Sequence, residues 1–119
     1  MKTVLIIDDA GFDRTILGAL LGQAGYDVIG EAASGKEGVE LAKTLKPDLI
    51  TLDKMMEDMD GMEVLKILKS EKIESKIVMI SGDDSEQFQN EARSLGANDY
   101  FKKPIYKSDF KGKLDALFG

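Results

Sequence analysis

The chain repeats one pattern five times. A short apolar run is cut off by a polar group, and a stretch with apolar residues at helical spacing follows. The run at 4–7 (Val-Leu-Ile-Ile) stops at Asp8-Asp9, and the run at 49–52 stops at Asp53. The run at 77–80 stops at Ser81-Gly82, and the short pair Tyr100-Phe101 leads to Lys103-Pro104. Between them, Ile16, Leu17, Leu20, Leu21 and Ala24 mark a helix over 12–24 closed by Gly25, and Tyr26, Val28 and Ile29 suggest the second strand. Ser34 with Glu37 is a capping-box pattern for a helix through Val39, Leu41, Ala42 and Leu45, which Pro47 stops. Asp60 with Glu63 opens a helix carrying Val64, Leu65, Ile67 and Leu68. Residues 86–95 read as a polar helix with a thin apolar face (Phe88, Ala92, Leu95). Ser108 is expected to cap the last helix, which carries Phe110, Leu114, Leu117 and Phe118. The inner runs are apolar throughout, as strands covered on both faces must be. The expectation is an α/β fold, a (βα)5 doubly wound parallel sheet of five strands, filling residues 1–119 as one domain.

Open sheets of this kind bind ligands beyond the carboxyl ends of their strands, where the strand order reverses. If the first and third strands flank that point, Asp8, Asp9 and Asp53 converge. Two carboxylates ~5 Å apart repel by about 3 kcal/mol at an effective dielectric near 20. Such a cluster must retain a proton or hold a cation. Hard oxygen ligands with room for water and phosphate suit Mg²⁺ better than an all-protein Ca²⁺ cage. Any one aspartate after a strand is more often a helix cap or a solvated turn residue. The set is harder to dismiss, because the fourth and fifth strand ends add a hydroxyl and an ammonium. Together these groups can hold a phosphoryl group beside a metal.

Composition removes the rivals. Sixteen Lys+Arg against 22 Asp+Glu leave a net charge of −6, which disfavours nucleic acid and anionic membrane surfaces. Without cysteine or histidine there is no thiolate, Ser-His triad, HExxH zinc site or phosphohistidine. Apolar runs of at most four residues are too short for a membrane span or signal peptide, so a cytoplasmic protein is expected. A preformed phosphate held as in flavodoxins fits badly, since the first loop opens with two negative charges. Asp58-x-Asp60 looks like a haloacid-dehalogenase motif but follows no apolar strand, so Asp60 reads as a helix N-cap. Met56 and Met59 read as loop packing, because thioethers are poor Mg²⁺ ligands.

The ordered motifs resemble the response-regulator receiver domain, most closely its stand-alone CheY-like type. They are Val4-Leu-Ile-Ile-Asp-Asp9 with Arg14, Leu49-Ile-Thr-Leu-Asp53, Met56, Met59-Asp-Gly61, Met79-Ile-Ser81-Gly82, and Gly96-Ala-Asn-Asp-Tyr-Phe-Lys-Lys103-Pro104. The resemblance covers essentially the whole chain. It implies a flavodoxin-like/CheY-like sheet in the order 2-1-3-4-5, the order known for this fold. It implies Asp53 as phosphoacceptor from a sensor histidine kinase or phosphotransfer protein. Mg²⁺ would be held by Asp9 directly, Asp8 through water, Asp53 and the main-chain carbonyl of Met55. Lys103 and Ser81 would contact the phosphoryl group, Gly82 would leave access, and Lys103-Pro104 would be cis. Ser81 and Tyr100 would form the switch, read by a downstream target on the fourth helix, fifth strand and fifth helix (Gln87, Glu91, Tyr100, Lys102, Lys107). Water approaching the phosphoryl group would pass Met55 and Asp83. A monomer is expected, either a diffusible messenger or relay, or the receiver of a longer protein. A phosphohydrolase would need a substrate pocket or cap that the short loops leave no room for. A phosphorylation-independent module would usually lack part of this set. One departure stands out: Glu57 occupies the position of a usual proline, which frees the loop after Asp53 and adds an acid.

Overall fold

The computed structural model describes residues 1–83 and 85–119, with the backbone alone at 109. The elements alternate as β1 (Thr3–Ile7), α1 (Gly11–Gln23), β2 (Asp27–Ala32), α2 (Gly35–Leu45), β3 (Leu49–Asp53), α3 (Gly61–Ser70), β4 (Lys76–Ser81), α4 (Glu86–Ser94), β5 (Asp99–Lys102) and α5 (Lys107–Leu117). The strands form one parallel sheet in the order β2-β1-β3-β4-β5. The expected fold and strand order are therefore present.

The pleat divides each inner strand between two cores. Leu5, Ile7, Ile50, Leu52, Ile77 and Met79 pack against buried residues of α2, α3 and α4. Val4, Ile6, Leu49, Val78 and Ile80 pack with Leu17 and Leu21 of α1 and Phe110 and Leu114 of α5. Alternate residues of a strand face opposite sides, so a strand buried on both faces is apolar at almost every position, with Thr51 of β3 as the exception. That is why these runs carry no polar alternation.

Capping follows the sequence reading at two helices, and Ser85 caps a third that it did not name. Ser34 accepts from the Glu37 amide, Asp60 from the Met62 amide and Ser85 from the Phe88 amide. Glu37 reaches back to the Ala33 amide at 3.2 Å, one residue before the cap. The expected cap at Ser108 is not found. The N-cap position is Tyr106, without a side-chain bond, and Ser108 lies inside α5. A serine two residues too late cannot reach the free amides of the first turn. Tyr26 also falls outside β2. Its buried ring lies just before the strand, and its hydroxyl donates to Asp115 at 2.8 Å, tying the start of β2 to α5. No helix among the described residues is long and apolar enough to cross a membrane.

Candidate functional site

β1 and β3 are neighbours in the sheet, with Ile7 paired to Leu52. The next residue on each strand therefore carries its side chain to the same edge. Asp8 is 1 % exposed and Asp53 6 % exposed, and Asp9 is the most open of the three. One carboxylate oxygen from each lies within 4.8 Å of the others. The acids that the sequence placed at two strand ends do converge.

Lys103 closes the cluster from the end of β5. Its ammonium lies 2.9 Å from Asp53, 3.4 Å from Asp8 and 2.9 Å from Asp13. Burial works against that ammonium, yet hydrogen bonds and charge from Asp13, Asp53 and Asp8 outweigh it and hold its pKa above the lysine range. Burial dominates at Asp53 and pushes its pKa up to about 6. The hydrogen bond from Lys103 opposes that rise, while the charges of Asp8 and Asp9 add to it. One ammonium thus faces several acids, and Asp53 bears the strain. A small divalent cation would relieve it, since the oxygens are hard, close together and partly reachable from solvent. The donor set fits Mg²⁺.

Asp8 and Asp9 each also accept from a main-chain amide. Asp8 accepts from the Ala10 amide at 2.9 Å, and Arg14 donates to the Asp8 main-chain carbonyl at 2.7 Å while pairing with Glu31. Asp9 accepts from the Glu57 amide at 3.0 Å. A proline at 57 has no such N–H. The departure at Glu57 therefore supplies a bond that ties the β3–α3 loop to Asp9, where greater freedom of that loop was expected. The same loop is held at two further points. Asp58 accepts from the Gly35 and Lys36 amides at the start of α2, which lowers its pKa, and Met56 and Met59 pack on the core. The packing role expected for these methionines is met. Gly61 fixes the far end of the loop. A Cβ there would lie 2.3 Å from the Asp53 carbonyl oxygen, so only glycine lets α3 begin against the end of β3.

The remaining predicted residues sit at the same edge without joining the cluster. Ser81 is buried at the end of β4, and its Oγ accepts the Asp83 amide at 2.9 Å. Gly82 is exposed, and among the described residues beyond its chain neighbours no heavy atom lies within 4 Å of the Cβ it lacks. Met55 presents an exposed side chain. The Lys103-Pro104 bond is cis, as expected. Tyr100 on β5 is half-buried, meeting Phe88 of α4 edge-on with ring centroids 6.2 Å apart. Lys113 of α5 lies 5.8 Å from the Tyr100 ring centre. On the face assigned to output, Gln87, Glu91, Lys102 and Lys107 are all exposed.

Two contributors escaped the sequence reading. Asp13 binds Lys103 from the first turn of α1, and its place one turn beyond Asp9 was the available signal. Lys54, next to Asp53, donates to Asp83 at 2.9 Å and lies 4.5 Å from the Phe88 ring centre. That bond holds the Asp83 pKa down to about 2, helped by the Ser85 amide. Nothing in the local pattern around residue 54 announces this pairing.

Comparison with known proteins identifies the family. Residues 4–115 match the family model of the response regulator receiver domain. The chain is 40 % identical to the chemotaxis protein CheY of Thermotoga maritima over 107 residues, covering 90 % of this chain and 89 % of that one. It is 38 % identical to the alkaline phosphatase synthesis transcriptional regulatory protein PhoP of Bacillus subtilis, covering 98 % of this chain and 48 % of that protein. Among solved structures, the CheX-CheY-BeF3-Mg²⁺ complex from Borrelia burgdorferi is similar, with a TM-score of 0.92 and 30 % identity over 99 % of this chain and 90 % of that one.

Proposed function

The chain belongs to the response-regulator receiver family of two-component signalling, and from that premise we propose that Asp53 is its phosphoacceptor and Ser81 and Tyr100 its switch. The observation that carries this reading is the meeting of three carboxylates within 4.8 Å, with the Lys103 ammonium 2.9 Å from Asp53. A receiver is not a conventional enzyme. Its substrate is its own aspartate, and the donor is a phosphohistidine of a sensor kinase or phosphotransfer protein.

The transfer balances simply. An Asp53 carboxylate oxygen attacks phosphorus, the P–N bond of the phosphohistidine breaks, and the imidazole leaves with the electron pair. Phosphoryl transfer asks chiefly for in-line placement and charge neutralisation. Lys103 supplies one cation for the phosphoryl oxygens, and one of its contacts with Asp53, Asp13 and Asp8 must give way for it to do so. Asp8, Asp9, Asp53 and the Met55 carbonyl would hold Mg²⁺, Asp8 through water. When bound, that ion supplies neutralisation of the negative charge shared by carboxylate and phosphoryl group. Reset is hydrolysis: water attacks phosphorus, the acyl phosphate P–O bond breaks, and the Asp53 carboxylate is regenerated beside inorganic phosphate.

Switching follows from what the new charge attracts. The Ser81 hydroxyl can donate to a phosphoryl oxygen only by approaching Asp53, and Tyr100 would fill the space it leaves beside β5. The altered surface would be α4, β5 and α5, with Gln87, Glu91, Tyr100, Lys102 and Lys107 offered to a downstream protein. The crystallised assembly of a similar CheY with CheX supports a protein target. The thin apolar face of α4, with Phe88 and Ala92 as its buried residues, suits an element that shifts.

Incubation with acetyl phosphate and Mg²⁺, followed by intact mass and peptide mapping, tests the assignment. One added phosphoryl group on the peptide containing Asp53 is expected. Labelling elsewhere, or none, would overturn it.

A further inference from the structure

The contacts around Asp83 join groups that the proposed reaction uses to groups it does not. The Asp83 amide donates to Ser81 Oγ at 2.9 Å. One carboxylate oxygen accepts from Lys54 Nζ at 2.9 Å, and the other accepts from the Ser85 amide at 2.8 Å, at the start of α4. Lys54 follows Asp53 directly, and its amide also donates to the Ile80 carbonyl, so β3 and β4 are still joined there. Its ammonium lies over Phe88, and Phe88 meets Tyr100 edge-on. A single side chain beside the phosphoacceptor thus touches the loop that carries Ser81 and the ring that backs Tyr100.

Ser81 cannot move freely in this arrangement. To approach Asp53 its hydroxyl must break the bond to the Asp83 amide or carry residue 83 along. The first course strands the Asp83 amide while Lys54 and Ser85 hold the rest of the residue in place, and the second strains the ion pair between Lys54 and Asp83. We propose that Lys54 is a positioning residue for the switch: by holding the Asp83 carboxylate it restrains Ser81, and through Phe88 it keeps α4 and Tyr100 in the resting arrangement. This rests on the assignment of Asp53 and Ser81 above. The ion pair opposes switching until a phosphoryl group on Asp53 outbids Asp83 for Ser81. The two ends of the restraint are chemically distinct: Asp83 acts by charge on Lys54 and by its main chain on Ser81. Removing only the charge should therefore loosen the switch without removing any group that meets the phosphoryl oxygens.

The experiment compares wild type with Lys54→Met, Lys54→Arg, Asp83→Asn and the Lys54→Met/Asp83→Asn double variant. NMR of the Tyr100 ring and α4 amides is recorded for each, without ligand and with beryllofluoride and Mg²⁺. Unliganded Lys54→Met and Asp83→Asn should lie part-way along the line toward the wild-type liganded position. The expected change is about threefold in the ratio of switched to resting forms, the scale of a partly exposed ion pair. Lys54→Arg should restore the wild-type position, because it keeps the charge. The double variant should go no further than either single one. Unliganded positions unchanged in both single variants, or effects that simply add in the double variant, would overturn the restraint. A wild type that does not respond to beryllofluoride and Mg²⁺ would instead overturn the assignment of Asp53 and Ser81, and the restraint with it.

Discussion

Asp48 and Asp53 stand at opposite ends of one strand, and their surroundings treat the same side chain in opposite ways. Asp48 precedes β3 and accepts from the Thr3 amide at 2.8 Å and the Thr3 hydroxyl at 3.1 Å. Those bonds hold its pKa below the usual carboxylate range. Asp53 ends β3 among other acids, and burial pushes it up to about 6. At the first end a charge is given donors and becomes a clasp between β1 and β3. At the second, the one ammonium is shared with Asp8 and Asp13 and does not offset burial, so the charge is left under-compensated. The difference separates an acid that serves the fold from an acid available for chemistry.

The sharpest way to break this contrast is to neutralise each acid in turn. Asp53→Asn should abolish phosphoryl incorporation from acetyl phosphate, read by intact mass. It should also gain stability at neutral pH without metal. The raised pKa means the native state holds the Asp53 proton more tightly than the unfolded chain does. That contribution is full below about pH 4 and is lost as the pH rises through 6. Urea titrations in chelator should therefore coincide with wild type in mild acid and diverge above it. A variant less stable than wild type at pH 7.5 would contradict the reading of Asp53 as a strained group.

Metal binding should separate the two ends next. Asp9→Ala should reduce Mg²⁺ affinity below detection by isothermal titration, and Asp8→Ala by about tenfold, the low end for groups acting through a ligand shell. Asp48→Ala should leave it untouched. Mg²⁺ should raise the unfolding midpoint of wild type and Asp48→Ala, and not that of Asp9→Ala, because only the native cluster binds it. Equal affinities in wild type and both cluster variants would remove the metal from the account.

Smaller effects concern the fold. Lys103→Met leaves Asp8, Asp13 and Asp53 without their shared partner, and should cost about 1–2 kcal/mol in chelator, the lower part of the range for stranded groups that keep some solvent. Added Mg²⁺ should recover part of that loss. Asp48→Ala should cost about 1 kcal/mol through its lost hydrogen bonds. Because its native pKa is depressed, the stabilisation is present above pH ~4 and fades as the pH falls through the lower native value. Denaturant midpoints of Asp48→Ala and wild type should thus differ at pH 7 and converge as acid protonates Asp48 in the native state. A gap that persists in acid would assign the effect to packing.

What the sequence disclosed depended on how local each cause was. The inner strands were legible because burial on both faces leaves β1, β3 and β4 apolar at nearly every position before their carboxyl ends, Thr51 being the buried exception. β2 borders the sheet and exposes alternate residues, so Asp27 and Glu31 diluted its signal and Tyr26 was drawn into it. Asp8, Asp9, Asp53 and Lys103 were legible because each follows a strand and the strands are parallel. The orientation of Ser81 Oγ and the Lys54–Asp83 pair were not, since they depend on contacts between residues 2 and 29 positions apart that no periodicity encodes. At Glu57 the missing proline was visible, but its effect depended on where the new amide pointed. In the structure it points at Asp9.

Gly61 and Gly82, two of the twelve glycines, would leave opposite marks in a saturation library. At Gly61 the obstacle to a side chain is the main chain of Asp53 and Lys54, which cannot turn aside as a flexible side chain can. Every replacement must lever α3 off the end of β3, so selection for folding alone would leave that column nearly empty. At Gly82 a Cβ meets no heavy atom of the described residues within 4 Å beyond its chain neighbours, and the same selection would admit many residues. Only a second round scored on phosphorylation would thin them. The order in which the two columns empty would tell a sequencing experiment which glycine guards the scaffold and which guards the doorway.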